Sequence, residues 1–130
     1  MKASVLTSVL GILLALAPMA EAQSLQSLRF CPELQLSDEQ AAEIKALRRQ
    51  GRQEKIQLKK ALRSSRRALR QAKQSGDAAA IEQAQQAFEE AKAAMKEFRQ
   101  QRLQSIRELL DENQQPIFDQ CIENRKSKRN

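Results

Sequence analysis

Apolar and small residues recur at alternating steps of three and four along two stretches, with one short interruption. Leu58, Leu62, Ser65, Leu69 and Ala72 follow one another at steps of 4, 3, 4, 3. Ile81, Ala84, Phe88, Ala91, Met95 and Phe98 follow at steps of 3, 4, 3, 4, 3. That period lines each set along one side of an α-helix. A shift by one then carries the second stripe on to Leu103, Ile106 and Leu110. Ser75-Gly76-Asp77 divides the stretches. Gly76 suits the left-handed position just past a helix end, and Asp77 suits the N-cap of the next helix. With about three residues joining them, the two helices must lie antiparallel and adjacent. The fold class that follows is all-α, built on a long antiparallel hairpin.

Shorter helices flank it. Ser37-Asp38-Glu39-Gln40 is a capping box, in which Ser37 caps and Gln40 reaches back to its amide. Asp38 and Glu39 sit in the first turn, where the helix dipole favours negative charge. Ile44 and Leu47 share one face of this helix. Gly51 either bends one long helix or separates a short helix from the next; the sequence leaves both open. Asp111-Glu112-Asn113-Gln114 repeats the capping logic, with Asp111 or Asn113 as the cap. Pro116 is tolerated near a helix start, and Ile117, Phe118 and Ile122 make a short last helix. Residues 23–35 read as irregular, since Pro32 blocks an early helix. The basic residues from about 125 onward read as a frayed tail.

Composition then excludes several function classes. Only three Gly and three Pro occur, which argues against turn-rich β folds and Gly-rich nucleotide-binding folds. His is absent, so neither a Ser-His nor a Cys-His pair operates and imidazole metal sites are ruled out. No phosphate-cradling loop or nucleophile–base pair is present, and the reading is not an enzyme and no cofactor. From Gln23 onward there are 22 Leu, Ile, Met and Phe residues, too few for a thick two-layer core. A two-helix hairpin with so thin a seam is marginal alone, and a homodimer that packs the stripes together is the natural solution.

The first 22 residues read as an export signal. Lys2 supplies the positive start, and Val5 to Leu16 the apolar run. Ala20-Glu21-Ala22 offers a small-x-small cleavage site before Gln23. The run is shorter than the ~20 residues of a membrane span; left uncleaved, it would act as an anchor. Cleavage leaves residues 23–130 as one domain, with no membrane span, in a periplasmic compartment, and cytosolic nucleic acid drops out as a partner. In an oxidising compartment an even count of two cysteines, Cys31 and Cys121, favours a disulfide. They flank helix ends that an antiparallel hairpin brings together, so an intrachain bridge is reasonable. A bridge between subunits and two free thiols remain alternatives. Two isolated thiols with no His or third Cys make a poor metal site.

Charge asymmetry carries the most functional information. Twelve Lys or Arg and one acid, Glu54, lie between Lys45 and Lys73, a net of +11. Lys45, Arg48, Arg52, Lys55, Lys59, Arg63, Arg66, Arg70 and Lys73 recur at steps of three and four and so share one helix face. Like charges at that spacing repel by a few tenths of a kcal/mol per pair. One reading is that Glu82, Glu89, Glu90 and Glu97 neutralise this stripe across the hairpin. Between Asp77 and Glu112, however, the net charge is only −3. A positive face should remain, suited to acidic or amphiphilic chains whose apolar parts rest on the Lys and Arg stems.

Leu36-Ser37-Asp38-Glu39-Gln40 resembles the Leu-Thr-x-x-Gln motif of the Spy/CpxP family of periplasmic stress proteins, with Ser for Thr. Leu110-Asp111-Glu112-Asn113-Gln114, followed by Phe118, resembles the family's second copy, with Asp for Thr. The likeness runs from about Leu36 to Ile122. It implies a four-helix protomer that dimerises into a curved cradle. It also implies ATP-independent chaperone action, with unfolded or partly folded envelope proteins held on a basic, partly apolar face. Some members act instead as adaptors on a membrane sensor kinase, and a heavy-metal branch binds metal through His, Glu or Met. The lack of His sets this chain apart from that branch. Carboxylates such as Glu89, Glu90 and Glu97 are too scattered for an oxygen cage, so no metal ligand is assigned. The expectation is a periplasmic chaperone or stress protein, with sensor-kinase adaptor as the alternative and heavy-metal sensing as the weakest reading.

Overall fold

The computed structural model describes residues 28–130. The signal-type segment and its cleavage site lie outside the described residues. Among these residues four helices follow one another: α1 (Asp38–Gln50), α2 (Arg52–Ser75), α3 (Ala78–Glu108) and α4 (Gln114–Ser127). No helix among the described residues is long and apolar enough to cross a membrane. The chain is all-α, and α2 and α3 form the long antiparallel hairpin that the apolar spacing predicts. At 1.5 Å per residue, the 31-residue α3 is about 46 Å long.

The start of α1 and the turn between α2 and α3 are where the local signals put them. Ser37 Oγ accepts from the Gln40 amide at 3.1 Å, and Gln40 Oε1 accepts from the Ser37 amide at 3.0 Å, which completes the capping box. Gly76 takes the left-handed conformation, φ 71°, past the end of α2. Asp77 Oδ1 then caps α3 by accepting from the Ala79 amide at 3.1 Å. Asp111, not Asn113, caps the last helix: its Oδ1 accepts from Asn113 and Gln114 amides at 2.9 and 2.8 Å. Asn113 makes no side-chain cap. Helix α4 runs on to Ser127, so the basic segment from 125 begins inside a helix. The Arg125 guanidinium lies 5.5 Å from the Phe30 ring centre, which ties that turn to the coil before α1.

Gly51 separates α1 from α2 as a single residue in right-handed helical conformation, φ −85°, ψ 0°. Backbone bonds continue through it, from Gly51 N–H to Leu47 O at 3.1 Å and from Lys55 N–H to Gly51 O at 3.0 Å. A β-carbon at Gly51 would meet the flexible end of Arg102 and would come within 3.3 Å of the Phe98 ring edge. The two glycines therefore respond differently to alanine. Gly76→Ala should cost about 1–2 kcal/mol, because its φ is left-handed. Gly51→Ala should be neutral or up to about 1 kcal/mol stabilising, because helix propensity rises and Arg102 can swing aside. Urea unfolding of the two variants checks both signs.

The core sits at the open end of the hairpin, not along it. Leu28, Cys31, Leu34, Leu36, Ile44, Ile106, Leu110, Phe118 and Cys121 form one buried cluster. Phe118 is fully buried and meets Phe30 edge-on at 5.7 Å. The stretch read from sequence as merely irregular thus supplies Leu28, Cys31 and Leu34, and the motif residue Leu36 follows them into the core. Beyond Ile106, which belongs to this cluster, only Leu69 and Met95 are buried along the hairpin, while Leu58, Leu62, Phe88 and Phe98 are half-buried. The seam is as thin as its alanines suggest.

Two further links close this end. Cys31 and Cys121 form an intrachain disulfide with Cα atoms 5.5 Å apart, which decides between the alternatives left by sequence. Arg107 on α3 grips Asp119 on α4 with two bonds, Nε–Oδ1 at 2.9 Å and Nη2–Oδ2 at 3.0 Å. Chiefly through this hydrogen bonding, against a smaller opposing effect of burial, the Asp119 carboxyl is held below its ordinary pKa and the Arg107 guanidinium is raised. That contribution is present above the ordinary carboxylate pKa and is lost as pH falls below it and through the lowered pKa of Asp119.

Candidate functional site

The two five-residue motifs meet. Gln40 Nε2 donates to Gln114 Oε1 at 2.7 Å and to Leu109 O at 3.0 Å. Gln114 Nε2 donates back to Gln40 Oε1 at 3.0 Å and to Gln35 O at 2.6 Å. Gln114 Oε1 also accepts from the Asp111 amide at 3.0 Å. Each glutamine therefore closes its own capping box and joins the other motif in a reciprocal amide pair. Leu36 and Leu110, which open the two motifs, are buried in the core beneath it.

Glutamine is needed here for its donor. A glutamate still closes a capping box but cannot donate across to the other motif. Gln40→Glu should therefore cost about 1–3 kcal/mol, the penalty of leaving polar partners unmet in a half-buried place. A double-mutant cycle on Gln40→Ala and Gln114→Ala should show clear coupling in urea unfolding. Additive effects would mean that the pair is not one unit.

The basic stripe runs along one flank of α1 and α2. All nine residues, Lys45, Arg48, Arg52, Lys55, Lys59, Arg63, Arg66, Arg70 and Lys73, are exposed. None takes part in an ion pair among the described residues. The glutamates of α3 are engaged locally instead: Glu89 pairs with Lys92 at 3.0 Å and accepts from Gln85, and Glu97 accepts from Gln101. Neutralisation across the hairpin is thus not what the side chains do. Arg66 reaches over the half-buried Phe88 ring, 5.8 Å from its centre, and Lys92 approaches the same ring at 5.0 Å. The stripe therefore borders apolar surface. Ile56 adds to it, 46% exposed on the outer side of α2.

The opposite flank of α2 is uncharged. Gln57, Ala61, Ser64, Ala68 and Gln71 recur there at steps of 4, 3, 4, 3, and all are exposed. On that side a notch of about 220 Å³ opens at the Gly51 break. Arg102 lines it, stacked 5.2 Å from the centre of the Phe98 ring.

The LTXXQ motif family model matches residues 28–121. The chain belongs to this LTXXQ motif family. These are Spy/CpxP-like periplasmic proteins, a non-enzymatic, stress- and chaperone-related group. No curated protein and no solved structure matches the chain. In the LTXXQ family member described here, the matched region starts at the first buried residue of the coil and ends at the second cysteine. The family match therefore covers the amide pair, the hairpin and both ends of the disulfide. The reciprocal contact between the motifs was not legible in sequence. The signal that could have found it was the near-identical spacing of two capping boxes, each ending in glutamine.

Proposed function

We propose that this protein is a periplasmic, ATP-independent chaperone that holds unfolded or amphiphilic clients on the cationic flank of α1 and α2. The observation that carries this reading is the run of nine exposed cations with no ion-pair partner among the described residues, in a member of a stress-protein family. Capture is electrostatic and long-ranged, and so fast and salt-sensitive. Retention comes from weak apolar contact along the Arg and Lys stems, Phe88 and Ile56. Release needs no nucleotide, because each contact is individually weak.

The test is suppression of client aggregation. A reduced, unfolding client with acidic segments should stay soluble at stoichiometric chaperone and low salt, and aggregate again at high salt. Absence of protection at low salt overturns the proposal. Capture of one stoichiometric sensor domain from envelope extract, in place of many clients, would favour the adaptor reading. We place the homodimer contact on the uncharged flank of α2, where two copies approach without like-charge repulsion. Light scattering should give twice the chain mass, and Ala61→Arg/Ala68→Arg should halve it.

A further inference from the structure

The disulfide does not stand alone at its place in the fold. Glu33, two residues after Cys31, puts carboxylate Oε2 3.4 Å from the Cys121 sulfur. Both sulfurs and a Glu33 oxygen lie within 4.8 Å of one another. In the disulfide neither sulfur carries a proton, so this is a contact between a carboxylate and sulfur with no hydrogen to share. A surface groove of about 360 Å³ reaches the same point, lined by Glu33, Pro116, Ile117, Gln120, Cys121 and Asn124. Cys31 is fully buried, whereas Cys121 is 8% exposed and lines the groove. Two thiols with no third donor were a poor metal site in the sequence. The fold brings the third donor to them.

We propose that in the reduced protein Cys31, Cys121 and Glu33 bind a borderline-soft divalent cation such as Zn²⁺, which then clasps the 28–36 coil to α4 in place of the disulfide. Two thiolates and a carboxylate are a zinc donor set, and the groove admits water as a fourth ligand. Tetrahedral zinc sets its two sulfurs roughly 3.8 Å apart, which side-chain rotation can reach from Cα atoms 5.5 Å apart. Three anionic donors held together repel when empty, and a divalent ion relieves that repulsion.

The gate is a two-electron exchange with a dithiol. One thiolate of the dithiol attacks the Cys121 sulfur, the sulfur–sulfur bond breaks, and Cys31 leaves as a thiolate. The second thiolate of the dithiol resolves the mixed disulfide and frees Cys121. The dithiol is oxidised, the protein pair is reduced, and the two protons of the dithiol go to solvent as the cation takes both protein thiolates. The oxidised protein has no thiolate to offer, so binding follows the redox state.

Cobalt titration of the purified chain tests this. After phosphine reduction, the chain should take up one Co²⁺ and show thiolate-to-cobalt charge-transfer absorption, which Zn²⁺ then removes. The oxidised chain should show none, and Cys121→Ser should abolish it. Glu33→Gln, at an exposed position, should keep its helicity and lose at least about tenfold in affinity, the scale on which zinc sites respond to lost polar support. Zn²⁺ should also raise the Tm of the reduced chain and leave the oxidised chain unchanged. No charge-transfer band, unchanged affinity in Glu33→Gln, or equal binding by the denatured chain would each overturn the proposal.

Discussion

Removing the Cys31–Cys121 bridge is expected to lower the unfolding free energy by about 2–5 kcal/mol, a large share of what a domain this size commands. The cysteines are 90 residues apart in sequence, and the chain-entropy estimate for such a loop is roughly 4–5 kcal/mol before any native strain is subtracted. The physical context makes the loss concrete. Away from its open end the hairpin buries only Leu69 and Met95, while Leu28, Leu34 and Leu36 join Ile106 in the main core from a coil with no helix of its own. That coil is held by two turn bonds, by the Gln114 bond to Gln35 O, by the contacts of Phe30 with Phe118 and Arg125, and by the bridge. Urea unfolding of the oxidised chain and of Cys31→Ser/Cys121→Ser, both with a chelator present, measures the effect. Hydrogen exchange should show the loss first at 28–36 and in α4, with α2 and α3 less affected. Coincident midpoints would show that the other contacts already suffice.

The second large effect is on client capture. Lys59→Glu/Arg63→Glu/Arg70→Glu turns three exposed, ion-pair-free cations into anions and leaves the Arg66 contact with Phe88 in place. At low salt the association rate for an acidic unfolded client should fall at least about tenfold, within the range that electrostatic steering supplies. The dissociation rate should change little. The difference should shrink above 0.15 M salt, where the screening length is about 8 Å. Adding Arg66→Glu should also raise the dissociation rate, because the cover over Phe88 is lost. Stability should hold or rise slightly in the first variant, since repulsion along the stripe is relieved. Stopped-flow association at several salt concentrations separates these outcomes. An unchanged on-rate would remove the stripe from the mechanism.

Much of this architecture was readable without coordinates because its signals are local. Gly76 and Asp77 mark their turn through backbone conformation and a single side-chain bond. Ser37 and Gln40 close a box within one helical turn. The stripe from Lys45 to Lys73 is visible because helical periodicity fixes which residues share a flank. Less was readable where partners are far apart in sequence. Cys31 and Cys121 left three states open: a bridge within the chain, a bridge between subunits, or two free thiols. Pro32 made 23–35 read as irregular, yet Leu28 and Leu34 are fully or nearly fully buried. Asp111 and Asn113 were equal as caps until the turn around them was seen. Arg107 and Asp119, on different helices, gave no advance sign of their two-bond contact.

By itself, then, the chain's sequence determined that it is all-α, where the first helix starts and the hairpin turns, that two helices fold back on each other, and that one flank is cationic. Helix period, capping and charge spacing act over a few residues, and a few residues are enough to read them. Tertiary structure alone decided that the core lies at the open end of the hairpin, that Gln40 and Gln114 share their amides, that the disulfide is within one chain, and that Glu33 stands beside it. Those contacts join residues some 70 to 90 positions apart. Their geometry exists only once α1, the end of α3 and α4 have been brought to the same place.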